Sequence, residues 1–351
     1  MVESSEEYLA FKAWVGSEIQ NNEIHLDQEL QLSVLHGDAG FRKYFRLNTK
    51  EPLLAVYAPP ATEDNRGFDR IARFLYEGGI RAPKILATDF SHGFFLLQDL
   101  GPDLLLKYLQ DETVDTLYSH ALMLLLRLQQ CTLDYSVFPA YETEKLREEM
   151  MLFPEWFVEK HLGLELNEGE QQMLDDLFSE LEKNAAEQPK VVVHRDYHSR
   201  NLIYEETGNF GVVDFQDAVI GPVSYDLVSI LKDCYVSWEP ERVERWALAY
   251  ANMAAEIGIM PPVSREKFIR WFDWMGLQRH LKVLGIFCRL SLRDGKDDYL
   301  NDLPLVVQYT RDTLAKYKEL TVFSEWFEAT LMPIINQKKS WMKVRPGMPG
   351  I

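Results

Sequence analysis

Residues 191–226 constrain this chain more than any other stretch: VVVHRDYHSRNLIY and, after a short gap, GVVDFQDAVIGPVSYDL. An apolar run leads into a polar loop, two short apolar runs flank a turn, and an acidic loop closes the stretch. His194, Asp196, Asn201, Asp214 and Asp226 stand at the junctions of these runs. Asp196 and Asn201 put a carboxylate and a carboxamide at the two ends of one tight loop. Asp214, 13 residues after Asn201, returns across a hairpin, so that the two can share one metal ion. Hard oxygen donors of this kind suit Mg²⁺, and a carboxylate beside them can orient a hydroxyl towards a phosphate. Taken singly, each reads as something plainer: an Asp or Asn as a cap or turn residue, His194 as a core histidine. Taken together they read as equipment for phosphoryl transfer.

The residues before this stretch form two regimes. Residues 6–18 predict an amphipathic helix carrying Leu9, Trp14 and Ile19, packed on the outside of the segments after it. LSVLHGDAGFRKYFRLN predicts two strands around Gly37-Asp38-Ala39-Gly40. Alternation there puts Arg42, Tyr44 and Arg46 on one face, and Phe41, Phe45 and Leu47 on the other. LLAVYA gives a third strand, stopped by Pro59-Pro60. A helix over 63–76 buries Phe68, Ile71, Ala72 and Leu75, and KILATDF and GFFLLQ add two more strands. From residue 99 the pattern turns helical: 104–109, 114–130, 144–160, 169–184, 240–256, 265–292, 305–317 and 325–335. The expected boundary is at 98–102, between a small sheet lobe (1–98) and a larger helical lobe (99–351). The tail KVRPGMPGI is expected to be loose.

A length of 351 residues suits two lobes, and apolar and charged fractions of 46% and 26% are those of a globular protein. The net charge of −18 argues against non-specific nucleic-acid or anionic-membrane partners, because both need positive surface. It leaves room for a phosphate ligand, since Mg²⁺ and a few cations can reverse the field within one cleft. Cys131, Cys234 and Cys288 form no metal-binding or disulfide pattern, and the first segment is acidic rather than basic. The longest apolar run is too short to span a bilayer. A cytoplasmic protein is expected.

His194-Arg195-Asp196 with Asn201, followed by Asp214-Phe215, resembles the catalytic and metal loops of the protein-kinase-like fold. Tyr197-His198 and Ser224-Tyr225-Asp226-Leu227 look more like its aminoglycoside phosphotransferase and choline kinase branch. GDAGFRKYFR, the APP after strand three, LQDLG, HRDYHSRNL, DFQDAVIGPVSYDL and LQRHLKVLGIFCRLSLRDGK look like one subgroup. These are the bacterial anomeric sugar kinases, which phosphorylate N-acetylmuramate and N-acetylglucosamine at the C1 hydroxyl in cell-wall recycling. The matches run from residue 36 to about residue 297. A serine usually stands where this chain has Gly40, and an acidic residue where it has Tyr57.

The resemblance implies a bilobal α+β protein-kinase-like fold, ATP and Mg²⁺ as cofactors and a small sugar as partner. Asp196 becomes the catalytic base, His198 a contact for the γ-phosphate, and Asn201 and Asp214 the metal ligands. His194 and Asp226 become loop supports. The usual strand-three lysine is missing, with Tyr57 near its place, so Arg42 is the expected phosphate contact. Gln98 to Leu100 become the backbone that meets adenine, with Leu54 covering the ring. Asp217, Arg279 and Lys282 are candidates for the sugar. Either cation could meet the lactyl carboxylate of N-acetylmuramate or pair with an internal acid. Trp271 and Trp274 are expected in the core. A kinase acting on choline, an aminoglycoside or a nucleoside, and a non-catalytic nucleotide-binding module, stay open as alternatives.

Overall fold

The computed structural model describes residues 6–26, 28–35 and 41–338. The turn expected at 37–40 and the C-terminal tail lie outside them. The chain runs through α1 (Glu6–Asn21), β1 (Leu32–Leu35), β2 (Lys43–Leu47), β3 (Leu53–Tyr57), α2 (Asn65–Glu77), β4 (Ile85–Asp89) and β5 (Phe94–Gln98). A 3₁₀ turn (Leu105–Tyr108) precedes α3 (Val114–Gln129) and α4 (Thr143–Met150), and a π-helical segment (Phe153–Leu162) precedes α5 (Glu168–Ala186). Four short strands come next: β6 (Lys190–Val193), β7 (Leu202–Ile203), β8 (Gly211–Val212) and β9 (Val219–Pro222). The remainder is helical: α6 (Tyr225–Leu231), α7 (Pro240–Glu256), α8 (Arg265–Asp294), α9 (Leu303–Leu314), α10 (Thr321–Trp326) and α11 (Met332–Gln337). No described helix is long and apolar enough to cross a membrane.

Contacts divide the chain into two compact units, 1–138 with 200–218, and 139–199 with 219–351. The sheet ends at Gln98, but α3 and the β7–β8 hairpin belong with it, so the first unit extends beyond the 98–102 segment.

In the first unit five antiparallel strands stand in the order β1-β2-β3-β5-β4. One face carries Phe45, Leu47, Leu53, Ala55, Tyr57, Phe94 and Leu96, packed on α1 through Phe11, Val15 and Ile19. These helix positions are spaced by four, one stripe of an amphipathic helix. Of the three expected apolar residues, Ile19 belongs to this stripe and Trp14 packs against the same core, while Leu9 is 58% exposed. The other face presents the cross-strand row Tyr44, Val56 and Phe95. Phe68 of α2 meets Phe95 edge-on there. Phe41 precedes the strand and is 61% exposed, so alternation begins two residues later than the sequence suggests. The Asp64 carboxylate starts α2 by accepting the Gly67 N–H at 2.9 Å.

The second unit is organised around α8, which begins at the Ser264 cap and ends on left-handed Gly295 (φ 68°). Trp271 and Trp274 are buried in it. One continuous core joins α8 to the π-helical segment, α5, α9 and the last helices. Two stretches depart from expectation. Residues 144–160 split into α4 and the π-helical segment, and 219–222 form β9, antiparallel to β6, where an acidic loop was expected. Helix α8 passes so close to the π-helical segment that a Cβ on Gly285 would fall 2.3 Å from the Leu152 carbonyl. Backbone on both sides leaves nothing that can yield cheaply. Gly285→Ala should therefore cost about 1–3 kcal/mol by overpacking and lower the thermal midpoint by several degrees. An unchanged midpoint in a melting curve would contradict this packing.

Candidate active site

In the second unit, β6 delivers the chain to His194 and β9 pairs beside it (Val193 with Val219). Asp226, fully buried in the first turn of α6, grips the loop after β6. Its two oxygens accept the N–H of His194 at 2.6 Å and of Arg195 at 3.0 Å. Arg195 has φ 75°, a left-handed conformation that costs a non-glycine residue of the order of 1–3 kcal/mol unless its surroundings enforce it. The grip of Asp226 supplies that enforcement. His194 Nδ1 then accepts the Asp196 N–H at 3.3 Å, and the His198 N–H donates to the Asp196 carbonyl at 3.0 Å. At the far end Ser199 donates its N–H (3.0 Å) and its hydroxyl (2.5 Å) to buried Asp233, just beyond α6. Two acids flanking one short helix thus hold both ends of loop 194–199.

Beneath the loop lies a buried polar network. Glu149, at the end of α4, accepts from the Arg195 guanidinium, from the Tyr141 hydroxyl and from Lys282 Nζ (3.0 Å). Lys282 also donates to the Tyr225 hydroxyl at 3.1 Å. Removal of one partner from such a network would leave a buried charge uncompensated. Burial alone would raise the Asp196 carboxyl, but the charges of Lys282, His198, Arg279 and His194 outweigh it and hold it below the usual carboxylate range. Burial pushes Asp226 up to about 7, against the partial pull of its two N–H donors. His198 meets Tyr235 edge-on at 5.3 Å.

The first unit holds the expected metal ligands. The β7–β8 hairpin pairs Leu202 with Val212 and Ile203 with Gly211, which brings Asn201 and Asp214 together. Asn201 Nδ2 donates to Asp214 Oδ2 at 3.3 Å, and Gln216 Nε2 to Asp214 Oδ1 at 2.8 Å. Asp214 is exposed and left-handed (φ 65°). Among the described residues no cluster of three or more His, Cys, Asp or Glu side chains could hold a metal. An amide and a carboxylate oxygen therefore fit Mg²⁺ rather than a metal needing an all-protein cage, because Mg²⁺ takes its other ligands from water and phosphate.

Arg42 is buried in the same unit, in an ion pair with Glu63 (3.1 Å) and 4.5 Å over the Phe68 ring. Phe68 in turn stacks on Phe215, beside Asp214. The Arg42 Nε is buried without a hydrogen-bond partner among the described residues. The Tyr44 hydroxyl is pushed up to about 12, by burial first and then by Asp214 and Glu63 against the pull of Arg42. Arg42, Tyr44 and Asp214 therefore share one neighbourhood.

Tyr57 faces α1, bonds to Glu7 and is pushed up to about 12, while Val56 shares the face of Tyr44. Arg46 pairs with Asp99 at 2.5 Å. At the expected hinge the N–H groups of Gln98 and Asp99 are taken by the carbonyls of Lys84 and Pro52, both at 2.9 Å. The Leu100 N–H makes no hydrogen bond among the described residues. Asp217 is exposed.

Glu149, Asp233 and Glu63 were missed from sequence. Asp233 carried a signal, since it falls seven residues after Asp226, two helical turns on. Glu149 and Glu63 carried none, lying in ordinary acidic helix starts and ends.

The fold is α+β and protein-kinase-like, and the catalytic-loop and metal-loop residues belong to a phosphotransferase. Residues 31–264 match the model of the phosphotransferase enzyme family, and the chain belongs to that family. A Pseudomonas aeruginosa relative named N-acetylmuramate/N-acetylglucosamine kinase is 44% identical over 82% of this chain and 85% of its own. One of the same name from Neisseria meningitidis is 38% identical, over 85% and 90%. Among solved structures, an ethanolamine kinase from Plasmodium vivax aligns with TM-score 0.62 at 13% identity, covering 87% of both chains. A choline kinase from Streptococcus pneumoniae aligns at 0.59 and 14%, covering 86% of this chain and 99% of its own.

The Asp226 carboxyl is raised from 3.8 to about 7, so the stability it contributes is full below about pH 3.8 and is lost as pH rises through 7. Thermal melts of the wild type should show a fall between about pH 4 and pH 7 that Asp226→Asn lacks. At pH 6 the variant should melt lower, because an amide cannot accept both N–H groups, a loss of about 1–3 kcal/mol. Equal slopes in the two proteins would refute the assignment.

Proposed function

We propose that the chain is an ATP- and Mg²⁺-dependent kinase that phosphorylates the anomeric C1 hydroxyl of N-acetylmuramate and N-acetylglucosamine. Its place is the cytoplasmic recycling of cell-wall peptidoglycan. The kinship to two kinases of that name, at 38% and 44% identity over more than four fifths of the chain, carries the reading. The sheet-bearing residues 1–98 take the nucleotide, and residues 99–351 take the sugar and the chemistry.

Asp196 orients the attacking hydroxyl and accepts its proton. Held below the usual carboxylate range, it is ionised at neutral pH but a weak base. That suits a hemiacetal hydroxyl, which is more acidic than an ordinary alcohol. The cations around Asp196 also disfavour a cationic acceptor such as choline or an aminoglycoside. Asn201 and Asp214 would hold Mg²⁺, which when bound neutralises charge on the phosphates. Arg42 meets the same phosphates, His198 faces the transferred group, the Leu100 N–H meets adenine beneath Leu54, and Asp217 accepts from sugar hydroxyls.

The test is ATP consumption with a panel of N-acetylated sugars, choline, aminoglycosides and nucleosides. Turnover should be confined to the amino sugars. Asp196→Ala should lower kcat about 10²–10⁴-fold with the fold intact, and Asp214→Asn should raise the Mg²⁺ concentration needed for half-maximal rate. Turnover of choline alone would overturn the acceptor. Nucleotide and Mg²⁺ binding without turnover of any acceptor would make the chain a binding module.

A further inference from the structure

Three cations of the second unit act electrostatically with Asp196: Arg195, Lys282 and Arg279. Their compensation is unequal. Glu149 pairs with both Arg195 and Lys282, and Lys282 has the Tyr225 hydroxyl besides. Arg279 is 4% exposed, yet its one side-chain hydrogen bond among the described residues is to Cys234 Sγ, at 3.4 Å. Burial pushes the Cys234 thiol up to about 11, so it is neutral and cannot balance a guanidinium. No described carboxylate lies within ion-pair distance of Arg279.

A guanidinium this deeply buried and without a carboxylate is costly unless an anion meets it. Asp196 balances part of the charge, but Asp196 also faces the other two cations. Asp226 also acts electrostatically on Arg279, but its two oxygens are taken by the N–H groups of His194 and Arg195, so no carboxylate is given to Arg279 alone. Guanidinium is also the group whose planar fork matches a carboxylate in two parallel hydrogen bonds.

We infer that Arg279 is the receptor for a carboxylate on the acceptor sugar, and so sets the preference for an acidic amino sugar over a neutral one. The inference rests on the amino-sugar reading above, in which N-acetylmuramate carries a lactyl carboxylate and N-acetylglucosamine does not. Lys282, neutralised by Glu149, is excluded from this role and supports the catalytic loop from below.

The experiment compares kcat/KM for the two sugars in the wild type, Arg279→Gln and Arg279→Lys. The ratio of N-acetylmuramate to N-acetylglucosamine should fall about tenfold or more in Arg279→Gln, as expected for loss of one buried charge partner, and recover in part in Arg279→Lys. On the wild type, the methyl ester of the lactyl group should lose a similar factor against the free acid, a comparison that needs no variant to fold. An unchanged ratio, or an ester used as well as the acid, overturns the inference. An equal fall on both sugars also overturns it, assigning Arg279 to the phosphoryl group or to structure. Failure of the wild type on both sugars overturns the underlying reading instead.

Discussion

One buried carboxylate, Asp226, carries the catalytic loop. By accepting the N–H groups of both His194 and Arg195 it holds Arg195 in a left-handed conformation, and the next residue is Asp196. The β6–β9 pairing places the strand end, α6 supplies the acid, and α8 packs against α6. Asp233 fixes the far end of the loop through Ser199, so the segment is clamped twice by acids one helix apart. A loop held this way needs little reordering when a substrate arrives, which is the condition for positioning to contribute to rate.

Electrostatics set the state of the carboxylate in this loop. Burial alone would raise Asp196, but surrounding cations reverse the shift. The outcome is a carboxylate held below its ordinary range, and under the proposed function that weak base would meet a hydroxyl that parts readily with its proton. Among these cations Arg279 has no carboxylate within ion-pair distance among the described residues. In the first unit Arg42 is paired with Glu63, lies over Phe68 and shares a neighbourhood with Tyr44 and Asp214.

Local signals made much of this legible. Asn201 and Asp214 were placed together by a hairpin read from offsets, and α7 was bounded at Pro240 because proline starts helices well. The supporting roles of His194 and Asp226 came from resemblance. What escaped the sequence depends on tertiary neighbours. Glu149 looks like any helical acid until Arg195 and Lys282 are brought to it from 46 and 133 residues away along the chain, by subtraction of their numbers. Strand β9 was hidden because an acidic segment precedes it and glycine and proline interrupt it. On α1 only Leu9 departs from expectation, an apolar residue left exposed.

The most direct test of the central claim is a proton-coupled phosphorus NMR spectrum of the product formed from N-acetylglucosamine, ATP and Mg²⁺. The account predicts one sugar phosphate whose signal couples to the anomeric proton, and no such product with Asp196→Ala. A phosphate coupled to the C6 methylene protons would contradict the anomeric assignment. A C1 phosphate formed equally well by Asp196→Ala would contradict the role given to the loop that Asp226 holds.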